Sequence, residues 1–262
     1  PTCSRYVRFA SRTAFRRSTI LLTIFLTTTL TGLAQQRRVQ NKPYIDQRPL
    51  HFGILVGTHL QDIEMDNVGL QTIMSEDGTP HERLIVTDAD RWNTGFTVGV
   101  LADWRLHEHL SLRLSPALHF GSNHITFHDL KDTDAEGHPH PYTQDLKNTY
   151  LAVPVSLKFS AQRWNNYRPY LTAGISPMVN LTSPSSDYIR LKRFTTMIEV
   201  GLGCDFYLPY FKWIPELKFC YGLGNSLDRG HKDRLRDTNK QAFAGSVSSA
   251  QTKMVVLTFY FE

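Results

Sequence analysis

Leu110-Ser111-Leu112-Arg113-Leu114-Ser115-Pro116-Ala117-Leu118-His119-Phe120 puts its bulky apolar residues on one parity and its small or polar ones on the other. A strand projects successive side chains to opposite sides, so this stretch offers one face to a greasy medium and one to a polar medium. Working outward, the strand reads as 110–122, and the same rhythm returns in 50–60, 94–106, 149–160, 169–181, 194–208, 213–223 and 253–261. Most of these segments exceed the ~9–11 residues that a tilted strand needs to cross a bilayer. Their connections alternate. Residues 107–109, 161–168 and 209–212 are short, whereas 61–93, 123–148, 182–193 and 224–252 are longer. Short turns on one side, long loops on the other and an even strand number predict an all-β, eight-stranded antiparallel transmembrane barrel of outer-membrane type.

Alternation alone leaves the sidedness open, because a soluble ligand-binding barrel turns its apolar face inward. The small residues settle the expectation. Gly53, Gly57, Gly95, Gly99, Gly121, Gly174, Gly201, Gly203 and Gly222 share the polar parity. A crowded eight-strand lumen needs such residues, and a solvated exterior does not. On that parity, Asp103, Glu199, Asp205 and Glu216 stand against Arg105, Arg113, Lys158 and Lys218. Balanced charge suits a confined interior where an unpaired ion is costly, so these eight are expected to form a structural luminal network. Phe52, Trp104, Phe159, Phe206, Trp213, Phe259 and Phe261 gather on the apolar face near the short turns, as an interfacial girdle would. Pro116, Pro154, Pro177 and Pro215 conflict with this picture, since a closed barrel has no free edge for a residue without an N–H. Bulges or displaced strand ends are the expected accommodation.

Residues 1–34 read as a secretory signal. Arg5, Arg8, Arg12, Arg16 and Arg17 precede an uncharged apolar run, which ends at Gly32-Leu33-Ala34. Those five arginines account for the whole net charge of +5, so 35–262 is neutral and a nucleic-acid partner is not expected. The expected organisation is a signal peptide at 1–34, a periplasmic segment at 35–49 and a barrel at 50–262, with both termini periplasmic. Cys204 and Cys220 fall on opposite parities and are expected to remain unbridged.

Chemistry is sparse. His124, His128, His138 and His140, with Asp129, Asp132, Asp134 and Glu136, lack metal-site spacing and read as a polar, flexible loop. His107 and His109 flank one residue of a turn. His119 and Ser122 lie close on one strand, but spacing assembles no nucleophile, base and orienting group. No catalytic residue, metal, cofactor or small-molecule substrate is therefore expected, and an eight-strand lumen is too filled for a pore.

Three stretches resemble the PorT family of Bacteroidota outer-membrane barrels associated with type IX secretion. They are Asp46-Gln47-Arg48-Pro49-Leu50-His51-Phe52-Gly53, Asn165-Asn166-Tyr167-Arg168-Pro169-Tyr170-Leu171, and the most specific, Gly203-Cys204-Asp205-Phe206-Tyr207-Leu208-Pro209-Tyr210-Phe211-Lys212-Trp213-Ile214-Pro215-Glu216-Leu217-Lys218-Phe219. The resemblance implies a non-enzymatic integral component needed for protein export, in contact with outer-membrane lipid and other type IX secretion proteins. Its aromatic turn, Pro209, Tyr210, Phe211 and Lys212, is a candidate docking site, and equally an interfacial anchor. Alternatives are a general OmpX-like barrel for adhesion or envelope stability, and a lipid-modifying outer-membrane enzyme.

Overall fold

The computed structural model describes residues 40–74, 80–89, 92–133, 139–182, 188–235 and 237–262. The expected signal peptide, 1–34, and the first five residues of the expected periplasmic segment, 35–39, lie outside them. Among the described residues the strands are β1 (Leu50–Asn67), β2 (Leu70–Met74), β3 (Pro80–Asp88), β4 (Asn93–Arg105), β5 (Leu110–Leu114) and β6 (Ala117–Thr133), then β7 (Pro139–Ala152), β8 (Val155–Ser160), β9 (Tyr167–Asn180), β10 (Phe194–Tyr207), β11 (Lys212–Gly222) and β12 (Val247–Phe261). A short helix α1 (Thr238–Ala244) precedes β12.

Eight staves close into a ring. β5 with β6, and β7 with β8, each make one stave interrupted at a proline. The neighbours run β1, β4, β5/β6, β7/β8, β9, β10, β11 and β12, and β12 pairs back onto β1 from Ile54↔Phe261 to Asn67↔Val247. All these pairings are antiparallel, as the alternation requires. In the remaining hairpin, β2 with β3, β3 continues the wall beyond β4: it pairs with the same edge of β6 from Ile85↔Asp129 to Asp88↔Thr126, and the Asn67 side chain of β1 bonds the Thr87 backbone on its other side.

The prolines behave differently from the expectation. No bulge or displaced end appears at Pro116, Pro154 or Pro177. The register of β4 against β5 (Ala102↔Leu114) continues unchanged into β6 (Gly99↔Ala117), and Leu114↔Val155 continues into Ala117↔Ala152. The ladder passes through each proline and forgoes the bond that its missing N–H would donate.

Parity holds over whole staves, but the medium on each side changes along them. On β1, Phe52, Ile54, Val56 and Leu60 point outward and are exposed, while Leu55, His59 and Gln61 are buried in the lumen. Beyond Gln61 the roles exchange: Glu64 and Asp66 face out, and Ile63 is buried. The same exchange occurs on β6, where Ile125 and Phe127 are buried, and on β7 and β12, where Leu146 and Ala250 are. The barrel thus has a belt region, apolar outside and polar inside, topped by a loop-end extension that is polar outside and apolar inside. The extension has its own core of Ile63, Ile85, Ile125, Phe127 and Leu146, closed by Ile189 and Leu227 from connections and by Phe243 of α1. Phe243 packs its ring 5.5 Å from Phe127 and 5.1 Å from Tyr188.

This corrects the reading of 61–93, 123–148 and 224–252 as plain connections, and of 123–148 as a flexible loop. Much of each is wall: β1 runs to Asn67, β6 to Thr133, β7 starts at Pro139 and β12 at Val247.

Candidate functional site

The belt lumen is built around Arg113 on β5, which is 0% exposed. Its Nη1 donates to Glu216 Oε2 at 2.6 Å, and its Nη2 donates to Asp103 Oδ2 at 3.0 Å. The guanidinium lies between two rings, 5.1 Å from the Tyr170 centroid and 4.9 Å from that of Tyr260. Both hydroxyls donate to Glu216, Tyr170 to Oε2 at 2.5 Å and Tyr260 to Oε1 at 3.0 Å. Lys218 approaches Glu216 at 3.2 Å and Glu199 at 3.6 Å. Toward the turn end Lys158 meets Asp205 at 2.8 Å, and Lys212 meets Glu262 at 3.0 Å. The members come from β4, β5, β8, β9, β10, β11 and β12, yet inward parity aims all of them at one axis. Desolvating so many charges is tolerable only because each has an opposite charge nearby; Glu199 is the least satisfied, with Lys218 at 3.6 Å and no hydrogen bond to its Oε1.

Seven of the eight residues assigned to a luminal network from sequence, Asp103, Arg113, Lys158, Glu199, Asp205, Glu216 and Lys218, are buried in this group. Arg105 is not. It is half-buried at the end of β4, in a turn-end cleft with His107 and Glu108. Sequence reasoning missed Tyr170, Tyr260 and Glu262; the tyrosines share the inward parity, which was the available signal.

The turn end is sealed by the chain before β1. Asp46 Oδ1 accepts from Tyr207 Oη at 2.6 Å and lies 3.8 Å from Arg168, while its Oδ2 lies 3.4 Å from Arg163. The Arg163 guanidinium stacks 3.6 Å from the Tyr207 ring centroid and donates to the carbonyls of Asn41 and Lys42. Asn41 N–H donates to Asn166 Oδ1 at 2.8 Å. Asn165, in the adjoining turn, takes φ +54°, a conformation that asparagine tolerates better than most residues.

Of the candidate docking turn, Tyr210 is 92% exposed and Pro209 and Phe211 are exposed as well. Lys212 is a correction: it is buried in the lumen against Asp205 and Glu262, so the presented surface ends at Phe211. Around the turn end, Trp213 stacks on Phe259 at 5.9 Å and Phe206 sits 5.5 Å from Trp213, which extends the outward aromatic girdle.

Among the described residues no group of three or more His, Cys, Asp or Glu side chains is placed to hold a metal. Asp134, Glu136 and His138 lie outside those residues. His124 pairs with Asp145 at 2.6 Å, Asp129 with Arg83 at 3.5 Å, and His109 Nδ1 contacts the Ser160 carbonyl oxygen at 3.0 Å. His119 faces the lumen beside Thr97, at 2.8 Å, and Ser122 faces out, so the two cannot share one reaction. A Cβ at Gly95 would collide with the His59 ring and the Phe120 carbonyl, which is why that wall position is glycine. Cys204 and Cys220 are free thiols.

A closed eight-stave barrel with an exposed apolar belt, an aromatic girdle and a buried ionic lumen defines an outer-membrane-type β-barrel protein. Residues 33–228 match the outer membrane protein beta-barrel domain, and the chain belongs to that family and to the outer membrane. Among solved structures it is similar to the outer membrane protein OprG from Pseudomonas aeruginosa, at 13% identity over 80% of this chain and 92% of that one, with a TM-score of 0.41. Neisserial surface protein A is similar at 10% identity over 81% and 98%, with a TM-score of 0.40. The outer membrane protease OmpT from Escherichia coli is similar at 10% identity over 81% and 94%, with a TM-score of 0.36. No curated protein matches the chain.

Proposed function

We propose that this barrel is a non-enzymatic outer-membrane component that acts through the surfaces at its two ends, and that the process it serves is protein export by type IX secretion. The observation that carries the first part is the filled lumen. The Arg113 group occupies the belt, the Phe127 core occupies the extension, and the described cavities between and below them are about 30 Å³ each. A wall this full offers no aqueous path for a solute, so what remains is presentation of surface.

The secretion role is supported by the resemblance to PorT, whose most specific stretch forms the hairpin of β10 and β11. That hairpin carries Pro209, Tyr210 and Phe211 at its tip, on the side that also holds Asn41–Gln47. Under this reading the turn end faces the periplasm, with both termini, and the tip docks other secretion proteins. Deleting the gene should abolish surface delivery of exported cargo, and Tyr210→Ala with Phe211→Ala should impair it while the barrel still folds. Normal export in the deletion strain would defeat the secretion role.

A second reading, an OmpX-like barrel for adhesion or envelope stability, is favoured by one feature. The extension rises past the apolar belt as a continuous sheet with its own core, which suits a rigid exposed platform. Unimpaired export together with lost adhesion or heightened detergent sensitivity in the deletion strain would select it.

A further inference from the structure

Three prolines interrupt the hydrogen-bond ladder on adjacent staves at one place in the belt. Val100 N–H donates to the Pro116 carbonyl at 3.0 Å, Ser115 N–H to that of Pro154 at 3.2 Å, and Val153 N–H to that of Pro177 at 3.0 Å. In an antiparallel sheet such pairs exchange two bonds, and here each return bond is chemically impossible because the partner has no N–H. The registers put Pro116, Val153 and Pro177 on one rung, and Ser115, Pro154 and Ser176 on the next. Three consecutive stave boundaries, from β4 to β9, therefore hold together at this height by half their usual bonds.

Directly behind that patch of wall lies the luminal cavity. Ser115, Pro154, Ser176 and Met178 are its wall on the seam side, Met197 and Met254 line it further round, and His119, Glu199 and Lys218 reach it as its polar lining. The three methionines are three of the five in the chain. Outside the seam is the exposed apolar belt, with Val100, Val153, Val155 and Ile175 among its residues. Hydrocarbon thus sits against a stretch of wall where separating staves breaks fewer bonds than an unbroken ladder would, and unbranched, adaptable side chains sit on the inner side.

We propose that the seam of Pro116, Pro154 and Pro177 is a lateral port by which a single alkyl chain from the bilayer reaches the methionine-lined cavity. The ligand class follows from the medium outside and the lining inside. At rest the cavity of about 30 Å³ has room for no more than a few water molecules, so occupancy by an alkyl chain requires the methionine side chains to swing aside. Their thioether stems have the rotational freedom to do so, which Leu or Ile in their place would lack.

Cys220 lines the same cavity and serves as the reporter. The experiment uses residues 35–262 with Cys204→Ser, refolded in phosphatidylcholine vesicles. Labelling by butyl methanethiosulfonate is timed against labelling by a quaternary-ammonium analogue. The alkyl reagent should react at least about tenfold faster. Restoring the missing donors with Pro116→Val, Pro154→Val and Pro177→Val together should slow it about tenfold, whereas Pro215→Val, on β11, should leave the rate unchanged. The port is overturned if neither reagent labels Cys220, if the charged reagent keeps pace, if the triple variant labels as fast as the parent, or if Pro215→Val slows labelling equally. An alkyl chain arriving from the barrel mouth would give the third of these results. The triple variant regains hydrogen bonds, and heat-modifiable gel migration verifies that it folds.

Discussion

The belt and the loop-end extension are made of the same staves, continuous in register and parity, yet they solve opposite problems. In the belt, Ile54, Val98, Leu171 and Val200 face outward, and Arg113, Lys158, Glu199 and Glu216 face the axis. A few residues further along, Glu64 and Lys147 face outward, and Ile63, Phe127 and Leu146 face the axis. Side-chain parity is a property of the strand, but which parity is apolar follows the solvent outside it. The change between Gln61 and Ile63 on β1 thus marks where hydrocarbon gives way to water, without any lipid being present.

The comparison can be broken first in the two interiors. Arg113→Leu leaves Asp103 and Glu216 buried without their shared cation, and should cost about 3–5 kcal/mol in reversible urea unfolding from vesicles. An unchanged midpoint would mean the belt lumen is hydrated enough to neutralise them. Phe127→Ala in the extension should cost about 3–4 kcal/mol by cavity formation alone. Because its ring belongs to the extension's own core, it should leave the belt folded, as reported by protection of belt amides from hydrogen exchange. Equal loss of protection in both regions would show that they unfold as one unit.

The exteriors supply the smaller effects. Val98→Arg, outward in the belt, should destabilise by about 2–4 kcal/mol in the same assay, as expected of a charge placed in hydrocarbon. Glu64→Arg, outward on β1 beyond the exchange point, should have no comparable effect, and a penalty like that of Val98→Arg would move the hydrocarbon boundary upward. Lys253→Gln removes the ion pair to Glu64, which lies on the water-facing wall, and should leave the unfolding midpoint where it was.

Much of this was readable in the residues. Leu110–Phe120 announced the period, and the alternation of short and long connections announced the staves. The inward parity of Asp103, Arg113 and Glu216 announced that they would be neighbours in the lumen. What parity could not reveal was height. Arg105 carries the right parity, but it stands at the end of β4, so it lines the turn-end cleft and does not join the buried group. Lys212 read as turn surface because Pro209, Tyr210 and Phe211 precede it, yet it is the first inward residue of β11 and pairs with Glu262, which follows β12 at the same turn end. Residues 123–148 looked like loop because their polar face had become the outer one, which defeats a search for a constant greasy side.

The chain by itself determined the strand period, the number of staves and the set of side chains turned toward the axis, because these depend on local backbone geometry and nearest-neighbour alternation. Only the closed tertiary structure decided which of those side chains share a level, that Arg113 is held between Tyr170 and Tyr260, that Asp46 latches Tyr207, and that three prolines line up across adjacent staves. Those facts depend on the stagger between staves when the sheet closes, a quantity set by all the pairings at once and written in no single stretch.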